Sequence, residues 1–171
     1  MTSTIRGEPC CSTCTAWRRF SSNGGPTIEV QTAGLCHACY GTDGFAPALL
    51  SLRERDVLQA RVGARVEAWV YLYASCDRAF VYRELATSGP LRFRDRFTGE
   101  TSVVHEDDAA VLAELTAANE LDIVTVNPEW CAEIGPELFT LVRRARHRLS
   151  ASAWEGWVSA IDVVSEPRSA G

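Results

Sequence analysis

Four cysteines near the start of the chain are spaced as metal ligands. Cys11 and Cys14 form one Cys-x-x-Cys pair, and Cys36 and Cys39 form a second pair 21 residues later. A Cys-x-x-Cys turn lets two thiolates reach one cation, and two such turns complete a tetrahedron. A segment this short has little apolar core, so metal binding would supply its folding free energy. We therefore expect one structural Zn²⁺ held by these four cysteines.

Other ligand sets and metals stay open at this point. Cys10 adjoins Cys11 and could replace it in a shifted register. Four cysteines also suit an iron–sulfur cluster or a rubredoxin-like iron site. His37 lies between two of the ligands, and we expect it to be a surface residue or an outer donor rather than a ligand. Cys76 and Cys131 lie in apolar segments without ligand spacing, which favours a place in the core.

The elements expected to position these cysteines form a β-hairpin. Residues 17–20 read as a short strand, and residues 21–26 are rich in turn-forming Ser, Asn, Gly and Pro. Residues 27–31 alternate and contain β-branched side chains, which predicts the returning strand. The hairpin would have one Cys-x-x-Cys pair on each side and would bring the two pairs together.

This arrangement resembles the zinc-ribbon and treble-clef class of four-cysteine fingers. Residues 35–39, Leu-Cys-His-Ala-Cys, are similar to the second knuckle of GATA-type fingers, and Trp17-Arg18-Arg19 is similar to their Trp-Arg element. The likeness covers residues 10–44 only. The Trp-Arg-Arg sequence comes too soon after Cys14, and Gly41 and Gly44 stand where a DNA-reading helix should begin. The resemblance therefore implies the four zinc ligands, and it does not imply reading of a DNA sequence.

The remaining chain predicts a helix-rich domain with a small β-sheet. We expect a disordered lead over residues 1–9, a zinc-binding domain over 10–44, an α+β domain over 45–165 and a flexible tail over 166–171. A capping box, Ser51 with Glu54, should begin a helix over residues 52–74, with Leu58, Val66 and Trp69 on its buried face. Further helices are predicted over residues 77–86, 107–119, 128–149 and 151–163. Strands are predicted over 91–97, 101–105 and 121–126.

The composition limits the classes of function. The 171 residues carry a formal net charge of -5, which argues against nucleic-acid binding through bulk charge. All 17 basic residues are arginines, so any contact with phosphate would need a local arginine group. The candidates for contact with nucleic acid or another partner are Arg18, Arg19, Arg92, Arg94, Arg96, Arg143 and Arg144. The alternative is that these arginines are solvated or paired with the 22 acidic residues.

Localisation and catalysis have weaker signals. No stretch approaches the roughly 20 apolar residues that span a membrane, and the first nine residues lack a signal-peptide core. We therefore expect a cytoplasmic protein with reduced thiols and no membrane partner. His105 beside Asp107 could support acid–base chemistry, although this acidic run also suits a helix N-terminus. No known catalytic motif is evident.

These observations favour a non-enzymatic, zinc-containing accessory or regulatory protein. Its expected partner is nucleic acid or a protein of the nucleic-acid machinery, as in transcription or replication. One alternative is a protein–protein adaptor or assembly subunit that has a structural zinc and no nucleic-acid contact. Another is an enzyme with its active site in residues 45–165. The sequence leaves the oligomeric state open.

Overall fold

The computed structural model describes residues 26–126 and 128–165. Several predicted features lie outside these residues: the first strand, the ligands Cys11 and Cys14, and the arginines Arg18 and Arg19. The described chain is an α+β fold, rich in helices, with one two-stranded antiparallel sheet. None of the described helices is long and apolar enough to cross a membrane.

The first described element is a helix, α1, over Ile28–Cys36. The prediction of a strand over residues 27–31 is therefore wrong. The Thr27 hydroxyl caps the helix by accepting the N–H of Val30 at 3.4 Å. Val30 and Ala33, three residues apart, are buried against helices from later in the chain. This burial favours the helix over the β-branched propensity of the segment, because propensity is a weak preference beside tertiary packing.

The helix predicted over residues 52–74 is divided in the structure. A 3₁₀ turn over Leu52–Glu54 leads into α2, Arg55–Val62, and a second helix, α3, runs over Ala64–Ala74. Gly63 separates them with a φ of 88°, a left-handed conformation that glycine adopts readily. The predicted start is confirmed, since the N–H of Ser51 donates to the Glu54 carboxylate at 3.0 Å.

The predicted buried face of this region is also confirmed. Leu58 of α2 and Val66, Trp69 and Tyr73 of α3 all belong to the core. The described part of the predicted zinc-binding segment shares that core, because Val30, Ala33 and Tyr40 join the same cluster of buried residues. Residues 26–44 therefore do not form a separate core.

The next helix and the sheet follow the prediction closely. Asp77 caps α4, Arg78–Leu85, by accepting the N–H of Phe80 at 3.0 Å. Strands β1, Leu91–Arg94, and β2, Thr101–Val104, pair antiparallel, with Leu91 opposite Val104. Leu91 and Phe93 are buried while Arg92 and Arg94 are exposed, as the alternation predicts.

A long central helix, α5, covers Glu106–Val126. The strand predicted over residues 121–126 is therefore wrong, because α5 continues through it. Residues from Leu112 to Ala118 are buried on nearly every side of the helix. Short apolar runs do not distinguish a buried strand from a buried helix, and the surrounding helices decide the outcome here.

The last helices pack against α5. Helix α6 covers Pro128–Arg144, a 3₁₀ turn covers Ala145–Arg148, and α7 covers Ala151–Ser165. Val142, Ala145 and Leu149, which recur at helical spacing, are buried, and Leu138 on the same face is partly buried. Trp157 of α7 is buried and donates from Nε1 to the Ala117 carbonyl at 2.8 Å, which joins α7 to α5.

Candidate metal centre and its buried surroundings

The second Cys-x-x-Cys pair lies where α1 ends. Cys36 is the last residue of the helix, and the N–H of Cys39 donates to the Cys36 carbonyl at 2.8 Å. This turn places the two half-buried thiols close enough to affect each other's pKa. Burial raises the pKa of Cys36, and burial together with the neighbouring sulfur raises the pKa of Cys39 to about 11. Two close thiols that resist ionisation become good ligands only when a cation stabilises their thiolates.

The turn is fixed by contacts on both sides. The carbonyl of Cys39 accepts the N–H groups of Leu49 and Leu50, each at 2.9 Å. Tyr40 is buried, and its hydroxyl donates to Glu67 at 2.9 Å. Gly41 has a φ of 69°, and a Cβ there would lie 3.0 Å from the Ala46 carbonyl oxygen. The two sulfurs are therefore carried by a preorganised turn.

Cys36 and Cys39 are two of the four sulfur donors that a tetrahedral metal site needs. Among residues 26–126 and 128–165, no three His, Cys, Asp or Glu side chains are grouped closely enough to hold a metal. The other predicted ligands, Cys11 and Cys14, and the alternative Cys10 lie outside the described residues. The structure therefore describes two of the four predicted ligands, Cys36 and Cys39, side by side at the end of α1.

His37 is already engaged within the protein. Its Nδ1 donates to the Gly34 carbonyl at 2.7 Å, and its ring meets Tyr73 edge-on with the centroids 5.5 Å apart. The Asn119 side chain lies close enough to the ring to affect the pKa of His37. Burial lowers the pKa of His37 despite the opposing effect of the Gly34 carbonyl, so the neutral imidazole is favoured. This supports the expectation that His37 is an outer group rather than a ligand.

His37 borders a buried polar group that we call the His37 cluster: His37, Tyr73, Arg78, Tyr82, Asn119 and Glu120. Arg78 donates from Nη2 to the Tyr73 hydroxyl at 3.1 Å, and its Nη1 lies 3.5 Å from the Glu120 carboxylate. Tyr82 donates to the same carboxylate at 2.6 Å. Burial raises the pKa values of both tyrosines. The cluster joins α3, α4 and α5 and the residue that follows α1. Within it, the positive charge of Arg78 is balanced by the carboxylate of Glu120.

The sequence interpretation missed the His37 cluster. Its members lie far apart in the chain, since Tyr82 and Glu120 are separated by 38 positions. One signal was available: Glu120 and Asp122 are acids that fall within the apolar run ending α5, and both are buried. The Nδ2 of Asn119 is also buried, without a hydrogen-bond partner among the described residues.

The structure brings some of the predicted arginines together. The guanidinium carbons of Arg92 and Arg94 lie 5.5 and 4.3 Å from the Phe80 ring centroid. Arg94 also pairs with Asp77 at 3.6 Å. Arg96 is held separately, because its Nε donates to the Ala74 carbonyl at 2.7 Å. Arg94 and Arg96 therefore already make polar contacts within the protein, so they are less available to a phosphate.

Two further predicted groups are exposed. Arg143 and Arg144 end α6 with exposed side chains. His105 and Asp107 precede and begin α5, with 3.6 Å between Nδ1 and Oδ2 and about three quarters of each side chain exposed. An exposed pair is well hydrated, which favours the helix-start interpretation of these residues over a catalytic one.

Large apolar side chains are exposed near the cysteine turn. Ile28 and Leu35, seven positions apart, lie on one face of α1, and Phe45 and Leu49 follow in the loop after the turn. Their exposed fractions range from 54% for Leu35 to 84% for Leu49. Exposed apolar groups of this size concentrated in one region are typical of a binding surface.

Comparison with known proteins gives one match. Residues 17–78 match the model of DUF6817, a domain of unknown function. That segment runs from before α1 to the first residue of α4, and it includes Cys36, Cys39 and α3. No curated protein and no solved structure matches the chain.

Proposed function

We propose that this chain is a non-enzymatic accessory or regulatory protein built around one structural zinc ion. Cys11, Cys14, Cys36 and Cys39 would be the ligands. The observation that carries the proposal is the turn after α1, where two half-buried thiols meet on a fixed backbone. Zinc bound by four thiolates has no open position for a substrate, so its role would be structural.

The zinc ion would attach the N-terminal segment to the helical domain. Coordination by Cys11 and Cys14 would bring that segment, with Arg18 and Arg19, to the end of α1. This surface carries the exposed side chains of Leu35 and Leu49. The partner proposed first is a protein of the nucleic-acid machinery, or nucleic acid itself, in keeping with the resemblance to zinc ribbons.

A protein–protein adaptor without nucleic-acid contact is the second candidate. The exposed apolar residues near the turn favour it, since apolar side chains contact proteins more readily than phosphates. The local pairing of Arg94 with Asp77 favours it as well. In both candidates the zinc ion organises a surface and takes no part in chemistry.

Native mass spectrometry tests the zinc proposal on protein purified without added metal or chelator. We expect one zinc ion per chain, and we expect its loss in the double variant Cys36→Ser/Cys39→Ser. The matched control is Cys76→Ala, which removes a buried thiol distant in sequence and should retain the metal. Bound iron, or a chain without metal, would overturn the proposal.

Salt dependence separates the two partners. Fluorescence anisotropy with labelled duplex DNA and with single-stranded RNA would be measured as salt rises from about 50 to about 200 mM. Direct contact predicts binding that weakens steeply and is reduced by Arg143→Ala/Arg144→Ala. Absence of nucleic-acid binding at low salt would exclude direct contact and favour the adaptor function. In that case the variant Leu35→Ser/Leu49→Ser should disrupt binding to the protein partner.

A further inference from the structure

A concave site separate from the cysteine turn lies where β2 ends and α5 begins. It is a cavity of about 360 Å³ whose wall includes Gly89, His105, Glu106, His147 and Arg148. These residues come from three segments: the loop before β1, the start of α5 and the 3₁₀ turn after α6. The volume suits a small ligand, since it is near the lower end of the range for ligand pockets.

Arg148 is the unusual member of this wall. Only 9% of the residue is exposed, yet no carboxylate among the described residues lies within ion-pair distance. Its Nη2 donates to the Gly89 carbonyl at 2.6 Å and to the Thr87 carbonyl at 3.3 Å. Its Nε is buried without a hydrogen-bond partner. A buried cation that is neither paired nor fully hydrogen-bonded is costly, and an anion would relieve that cost.

The two histidines add complementary hydrogen-bonding groups. The Nδ1 of His105 accepts the N–H of Asp107 at 3.3 Å, which leaves the proton of the neutral ring on Nε2 as a donor. The Nδ1 of His147 contacts the Arg144 carbonyl at 3.1 Å, so Nδ1 is the donor and the neutral ring has an accepting Nε2. The cavity therefore offers donors from Arg148 and His105 and an acceptor from His147.

Two acidic side chains limit the charge of the ligand. Glu106 lines the same cavity. The Oδ2 of Asp107 lies 3.6 Å from the Nδ1 of His105. These carboxylates would repel a multiply charged anion. An anion with a single charge and a hydrogen-bond donor of its own would satisfy Arg148 while donating to Glu106 or His147.

We propose that this cavity binds a small oxyanion, a carboxylate or a protonated phosphate, with Arg148 as its charge partner and His105 and His147 as its orienting groups. The two ligand types share the required chemistry: negatively charged oxygens that accept from Arg148. The site is independent of the cysteine turn, so its failure would leave the zinc proposal untouched.

The test is an NMR titration of ¹⁵N-labelled protein with inorganic phosphate and, separately, with glycolate, a carboxylate with a hydroxyl donor, at constant ionic strength. We expect saturable shifts of the Gly89 and His147 amides with at least one of the two anions. Saturation by phosphate alone assigns a phosphate ligand, and saturation by glycolate alone assigns a carboxylate. Shifts that are linear, or spread over the whole surface, for both anions would overturn the proposal.

Variants decide whether the observed binding uses this cavity. His105→Ala and His147→Ala change exposed residues, so both should fold, and each should weaken binding about tenfold by removal of one hydrogen bond to an anion. Arg53→Ala is the matched control, because it removes an exposed arginine that does not line the cavity. Arg148→Met should abolish binding. Unchanged affinity in both histidine variants would overturn the proposal even if Arg148→Met did not fold.

Discussion

Arg78 and Arg148 are two arginines largely withdrawn from water, and their charges are met in different ways. Arg78 lies 3.5 Å from the Glu120 carboxylate and donates to the Tyr73 hydroxyl. Arg148 contacts only backbone carbonyls, and its Nε has no partner. The paired charge of Arg78 holds helices together. The unpaired charge of Arg148 remains able to bind an anionic ligand. The comparison separates a structural polar cluster from a candidate binding site.

The largest expected effect follows removal of the charge that compensates Arg78. Glu120→Gln keeps the size of the side chain and leaves Arg78 without its anion. We expect a loss of about 3 kcal/mol in the free energy of unfolding, because breaking a buried ion pair strands the remaining charge. Urea denaturation measures it. The exposed Glu155→Gln is the control, and a loss in Glu120→Gln no larger than in that control would show that Arg78 does not need its partner.

A smaller effect is expected at Arg148. Arg148→Met removes two hydrogen bonds to carbonyls, but it also removes an unpaired charge and fills the space with an apolar chain. We expect the free energy of unfolding to change by about 1 kcal/mol or less, in either direction. Urea denaturation measures this as well. A loss as large as that in Glu120→Gln would contradict the comparison, because it would show that the carbonyl contacts fully stabilise the charge.

The smallest effect concerns the pH dependence contributed by the His37 cluster. Burial, with a smaller contribution from Arg78, lowers the pKa of His37 in the folded protein below its usual 6.5. Below about pH 6.5 the unfolded chain therefore binds a proton that the folded protein does not, and stability falls with pH until the folded pKa is passed.

His37→Asn should reduce this decline when stability is compared between about pH 8 and about pH 5. Thermal denaturation across that range measures the slope. A slope in His37→Asn identical to the parent's would show that His37 is not the buried neutral group inferred from its contacts.

Local signals predicted much of the fold. The capping box of Ser51 and Glu54 and the alternation of Leu91 to Arg94 depend on neighbouring residues only, and both are confirmed. Residues 27–31 and 121–126 were predicted as strands because β-branched and apolar side chains favour strands locally. In the structure both belong to helices whose buried faces meet other helices.

The candidate sites were less predictable because their contacts are distant in sequence. The Cys36–Cys39 pair is visible as a motif, so the sequence could suggest its chemistry. Nothing local indicates that Arg148 meets the Gly89 carbonyl across 59 positions or that Arg78 meets Glu120. Residue types alone place Arg148 in a basic run that begins at Arg143, whereas packing withdraws it from solvent.

The central claim is that four cysteine thiolates bind one zinc ion. X-ray absorption at the zinc edge of the purified protein tests it most directly, because it reports the number and type of atoms around the metal. The account predicts four sulfur neighbours at about 2.3 Å. A first shell dominated by nitrogen or oxygen, or zinc retained when Cys36 and Cys39 are both serine, would contradict it.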